Sequence, residues 1–181
     1  MRIFSVTTTV KKPSECTDEE LDSFCSFVRE GGQVMLQGLK GRVTKAVALA
    51  FVFVNGGLAA VGAIKRPGEG YRSSTFKKAG VTEDPTDFAV ELGWVFVSEE
   101  HRGKKLSRVP VEALFPVVGT QNCFATSDVK RIGMHKTLKR YGFSKVGKPY
   151  ESDLDKDMLL LFLRVTVQSS APVDAPQAAC P

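Results

Sequence analysis

Apolar positions along this chain follow two rhythms, unbroken runs and three-to-four-residue spacings, with polar breaks between them. Ile3 to Val10 is rich in β-branched residues and reads as a first strand. Thr17 opens a helix, because its hydroxyl can cap the first turn and Glu20 stands three residues on, the capping-box spacing. Leu21, Phe24, Cys25 and Val28 follow at helical spacing, and Gly31-Gly32 ends the helix. A short second helix is expected over Val34 to Leu39. The apolar runs Ala46 to Val54 and Leu58 to Ile64 meet at Asn55-Gly56, a pair that supplies the positive φ angles of a type I′ hairpin turn. Neither run alternates, so helices must cover both faces of the sheet.

Lys65 to Phe88 breaks the rhythm with Pro67, Gly68, Gly70, Gly80 and Pro85, and reads as a long excursion holding at most one helical turn. Ala89 to Val97 is a strong strand that passes at once into polar Ser98 to Arg102. Leu106 to Val118 reads as a helix that is either kinked by Pro110 or begins near Ser107, where proline's missing N–H does no harm. Asn122 to Thr126 is a short strand. Asp128 can cap a helix from Val129 to Tyr141, with Gly142 at the stop position. Phe143 to Val146 and Met158 to Val167 are the last two strands. The order β-α-α-β-β-β-α-β-α-β-β predicts an α/β fold, α+β-like, with a mixed sheet of about seven strands and helices on both faces. Residues 1–167 form one domain on this reading. The Ser-, Ala- and Pro-containing stretch 168–181 is expected to be a disordered tail.

Composition narrows the class. With 181 residues, 43% apolar and 25% charged, the chain excludes a collagen, a coiled coil, a mostly disordered protein and a disulfide scaffold. Its longest apolar run, Ala46 to Val54, falls well short of the roughly 20 residues that span a membrane. Met1 to Ser5 turns polar too soon for a signal peptide. The cysteines at 16, 25, 123 and 180 form no C-x-x-C pair, so reduced structural thiols, no metal site and a cytoplasmic location are expected.

The net charge of +5 is unevenly spread. Residues 102–108 hold four basic side chains and no acid, and residues 129–141 hold five and no acid, which leaves the remainder of the chain at −4. The first of these segments follows a buried strand in Glu91 to Ser107, ELGWVFVSEEHRGKKLS. Backbone N–H groups at a helix start lack intrahelical partners and carry partial positive charge, which suits phosphate. Gly103 lets the backbone approach a ligand, and Arg102, Lys104, Lys105 and Arg108 add cations. Such a surface fits a small polyphosphate or, over a longer track, a nucleic-acid backbone. Glu91 is the only acid inside its strand; it either pairs with a Lys or Arg or works as a general base. Tyr71, Arg72 and Phe76 lie in the long excursion and are assigned to the wall of an acceptor site. His135 is expected at the surface, while Tyr141 and Cys123 are expected in the core.

Glu91-Leu92-Gly93-Trp94-Val95-Phe96-Val97 with Arg102-Gly103-Lys104-Lys105-Leu106-Ser107 resembles motif A of the GNAT superfamily of acyl-CoA transferases. Leu138-Lys139-Arg140-Tyr141-Gly142-Phe143 is similar to its motif B, and the element order matches from Ile3 to Val167. The resemblance implies an N-acetyltransferase that uses acetyl-CoA as co-substrate, with no metal, and a small-molecule or peptide primary amine as acceptor. It implies donor binding by Val95, Phe96, Val97, Arg102, Gly103, Lys104, Lys105, Leu106, Ser107 and Arg131. Glu91 would be the base, and a strand N–H near Val97 would hold the oxyanion. Four positions depart from the family pattern. Lys105 and Ser107 occupy the loop's small positions, which for Lys105 requires a negative φ. Arg131 stands where an Asn is common, and Leu138 stands where a Tyr commonly protonates the leaving thiolate. A monomer or homodimer is expected. The alternative is a non-catalytic module on the same fold that binds an anion or nucleic acid.

Overall fold

The computed structural model describes residues 5–166. Seven strands form one sheet in the order β1-β2-β3-β4-β5-β7-β6. They are β1 (Val6–Lys11), β2 (Ala48–Val54), β3 (Gly57–Lys65), β4 (Val90–Val97), β5 (Cys123–Asp128), β6 (Ser144–Glu151) and β7 (Met158–Arg164). Neighbours are antiparallel except β4 and β5, which run parallel. Asn55 and Gly56 join β2 to β3 with φ angles of 51° and 84°, the conformation the Asn-Gly pair predicts. The helices are α1 (Asp18–Glu30), α2 (Leu39–Val43), α3 (Glu69–Ala79), α4 (Arg108–Val118) and α5 (Ile132–Arg140). None of the described helices is long and apolar enough to cross a membrane.

The unbroken apolar runs do feed two faces. Ala48 and Ala50 of β2, Cys123 and Ala125 of β5, and Leu160 and Phe162 of β7 meet Val111 and Leu114 of α4 and Leu138 of α5. The intervening Leu49 and Phe51 pack with Leu21, Phe24, Cys25 and Val28 of α1 on the other face. Phe124, Leu161 and Leu163 pack there with Phe76 and Ala79 of α3. Thr17 caps α1 with the reciprocal box its spacing predicts: Glu20 N–H donates to Thr17 Oγ1, and Thr17 N–H donates to Glu20 Oε2.

Three expectations are corrected. The second helix lies at Leu39–Val43 rather than 34–39, because Gly32 and Gly38 turn the intervening chain with φ of 73° and 68°. The supposed excursion contains α3, three turns long. With Gly70, Ser73 and Ser74 among its residues it has no amphipathic stripe, and it is held by Phe76 and Ala79 against β6 and β7 rather than by propensity. Asp128 does not cap a helix at 129. Its carboxylate accepts from Lys130 N–H and Arg131 N–H donates to its carbonyl, so the chain turns first and α5 starts at Ile132. Pro110 sits in the first turn of α4, which begins just after Ser107. Gly62 of β3 leaves the room it needs, since a Cβ there would lie 2.9 Å from the proline ring. The expected tail lies outside the described residues, as do Ile3 and Val167.

Candidate active site

β4 and β5 hold the site open. They pair only at Val90 with Cys123 and at Glu91 with Phe124. Beyond Glu91 the two strands form no further pair among the described residues, while β5 turns its other edge to β7. The cause lies in β4 itself. Its register against β3 gains one residue between Gly93 and Phe96, and Trp94 sits at φ 51°. A bulky residue at positive φ is a strained outlier, and an inserted residue bends its strand. The bulge also reverses the side-chain parity. Val90 and Leu92 face α4 and α5, but Trp94 and Phe96 face α1.

Backbone groups line the seam on its α4 side. Ser98 N–H donates to Ala59 O, so by strand alternation the groups of Val97 turn to the open edge. There Arg102 Nε donates to Val97 O at 3.4 Å, and its guanidinium lies 5.6 Å from the Phe96 ring centre. Among the described residues, no carbonyl accepts from the backbone N–H of Gly103, Lys105, Leu106, Ser107 or Arg108. Lys105 has φ 59°, so the negative φ expected of it is corrected. It joins Gly103 (φ 77°) in the left-handed region, and the two bend this loop tightly. Arg131 is exposed at the start of α5, across the seam from the loop.

On the opposite face, Glu91 stands at the seam's apex, 1% exposed. Its Oε1 takes both of its partners: Lys65 Nζ at 2.8 Å and the Tyr71 hydroxyl, which donates at 3.3 Å. Its Oε2 is buried and has no hydrogen-bond partner. Both earlier readings of Glu91 therefore meet in one side chain, an ion-paired carboxylate with one oxygen left over. Burial and the Glu91 charge push the Tyr71 hydroxyl well above the usual phenol range, so it keeps its proton. Lys65 lies over Gly93, where a Cβ would come within 2.7 Å of its Cε.

Of the residues assigned to the acceptor wall, Tyr71 reaches Glu91 with its hydroxyl and keeps an exposed ring edge. Arg72 turns away and donates to Phe88 O at 3.4 Å. Phe76 is corrected: it is 2% exposed, packed at an angle on Phe88 and edge-to-face on Phe124, and belongs to the core. Leu138 is buried in the core and offers no proton. Tyr141 packs on Phe115. His135 is half-buried, its Nε2 2.9 Å from Asp128 O. Burial raises the Cys123 thiol to about 12, which suits a structural role. Among the described residues, no three His, Cys, Asp or Glu side chains cluster as a metal site. Sequence reasoning missed Lys65 and the bulge at Trp94. The signal for Lys65 was a lone cation ending an otherwise apolar strand.

No protein-family model and no curated protein matches this chain by sequence. Solved structures do match its fold. An acyl-CoA N-acyltransferase from Pseudomonas aeruginosa superposes with TM-score 0.61 at 17% identity, over 89% of this chain and 100% of that one. FeeM, an N-acyl amino acid synthase from uncultured soil microbes, gives TM-score 0.69 at 10% identity, over 91% and 93%. The structure of yncA from Salmonella typhimurium with its cofactor acetyl-CoA gives 0.59 at 14%, over 94% and 99%. The sheet order and the flanking helices are those of the GNAT-type fold.

Proposed function

We propose that this protein moves an acetyl group from acetyl-CoA to a primary amine by direct transfer, with Glu91 as general base. The observation that carries the reading is the seam between β4 and β5, with a buried carboxylate oxygen free at its apex and, at its mouth, loop N–H groups that have no backbone acceptor among the described residues. The likeness to solved N-acyltransferases supports it. The donor's pyrophosphate docks on the N–H groups of residues 103–107, with Arg102, Lys104, Lys105 and Arg131 supplying positive charge. The rest of the donor lies along the open edge at Val95, Phe96 and Val97. The amine reaches the thioester from the Tyr71 side. Its nitrogen bonds to the carbonyl carbon, the C–S bond breaks, and sulfur leaves with the electron pair as thiolate. Glu91 Oε2 accepts the proton that the nitrogen sheds. A strand N–H near Val97 holds the oxyanion. With Leu138 in the core, solvent protonates the thiolate.

Calorimetric titration with acetyl-CoA, followed by thiol-release assays over a panel of primary amines, tests this. Saturable binding and release with at least one amine are expected; absence of binding would sink the reading. A second reading rests on the exposed basic face of α5, where Lys136, Lys139 and Lys145 line an open cleft of about 370 Å³. Submicromolar binding of duplex oligonucleotide with a steep salt slope, and no acetyl-CoA binding, would favour it.

A further inference from the structure

We infer that Lys65 selects the acceptor, confining transfer to amines of low basicity, such as the α-amine at a peptide's N-terminus, and rejecting lysine-type alkylamines. The inference rests on the acyltransfer reading and concerns the seat beside Glu91. An ammonium group already occupies that seat. Lys65 Nζ lies 2.8 Å from Glu91 Oε1, 5.3 Å from the Trp94 ring centre and 5.8 Å from that of Tyr71. Two aromatic faces and a carboxylate are what a cationic substrate would seek. Here they are filled by a side chain only 15% exposed, which Gly93 leaves room for.

The place left for an acceptor is Glu91 Oε2, the buried oxygen without a partner. Lys65 already neutralises Glu91, so an acceptor arriving as a cation finds no net negative charge to offset its desolvation in this buried site. A neutral amine carries no such cost, and can donate an N–H to Oε2 while its lone pair attacks. The proton that Glu91 takes is then the one released as the N–C bond forms. Peptide α-amines titrate near 7.7–8.0 and lysine near 10.4, so at pH 7.5 the neutral fraction of the former is about 200- to 300-fold larger.

The experiment compares kcat/KM with acetyl-CoA for alanyl-glycinamide, whose only amine is the N-terminal one, and Nα-acetyl-lysinamide, whose only amine is ε. Wild type is expected to favour the first by about 10²-fold at pH 7.5. Lys65→Arg should keep the preference, and Lys65→Met should narrow it tenfold or more by admitting the cation. A wild-type ratio near or below one, or an unchanged ratio in Lys65→Met, overturns the inference while acyl transfer stands. Should Lys65→Met not fold, competition by a permanently cationic probe decides. The Nε-trimethyl form of the lysine probe should fail to compete with alanyl-glycinamide, and competitive inhibition by it would overturn the inference. Thiol release with no amine at all would instead defeat the acyltransfer reading, and the inference with it.

Discussion

Replacing Lys65 by Met should destabilise the fold by about 3 kcal/mol, toward the lower end of the range for breaking a buried ion pair. At 2.8 Å, unit charges attract by about 6 kcal/mol at an effective dielectric of 20, and desolvation of the two ions cancels most of that gain. Removing the lysine deletes the attraction and leaves the desolvation of Glu91 uncompensated. Glu91 is almost wholly buried, but Lys65 keeps some solvent contact and the Tyr71 hydroxyl still donates to Oε1, which places the cost low in the range. For a domain of this size, that lowers Tm by about 6–12 °C. Urea unfolding of wild type, Lys65→Met, Glu91→Gln and the double variant forms a cycle. Glu91→Gln removes the charge, so the double variant should be more stable than the sum of the single losses requires, by about 2 kcal/mol. Additive losses, or a Lys65→Met variant within about 0.5 kcal/mol of wild type, would refute the buried pair.

Three further outcomes follow from the same geometry. Phe76→Ala should cost about 3–5 kcal/mol in urea unfolding yet leave relative rates among amine acceptors unchanged, because the ring fills core space. Arg102→Ala should weaken acetyl-CoA binding in calorimetry more than Lys40→Ala, since Lys40 pairs with Asp22 away from the seam; equal effects would point to general electrostatics. Gly147→Ala should lower Tm by more than an ordinary surface change, because φ is 65° and a Cβ would lie 2.2 Å from Ala79 O, forcing α3 off β6.

What the sequence disclosed was whatever depends on local pattern. The capping box at Thr17, the Asn55-Gly56 turn and the two-sided burial of β2 and β3 all follow from residue spacing and turn chemistry, and so does the strand-loop-helix at 91–108. What escaped it depends on contacts distant in the chain. α3 has poor intrinsic propensity and exists because Phe76 finds Phe88 and Phe124. The bulge at Trp94 leaves no local mark, since Gly93 and Trp94 read as ordinary strand positions. Lys65 faces Glu91 only because β3 and β4 pair in register across the connection that contains α3. Lys105 shows the limit of a rule applied alone: a lysine occupies the left-handed region that a glycine would have announced.

We have proposed that the seam between β4 and β5 carries out acyl transfer with Glu91 as its base. The measurement that meets it most directly is the single-turnover rate of thiol release from acetyl-CoA with a saturating amine, wild type against Glu91→Gln. Gln keeps the size of Glu91 but takes no proton through Oε2. The variant's rate is expected to be about 10²- to 10⁴-fold lower, with acetyl-CoA affinity nearly intact. Equal rates in a folded Glu91→Gln variant would contradict it.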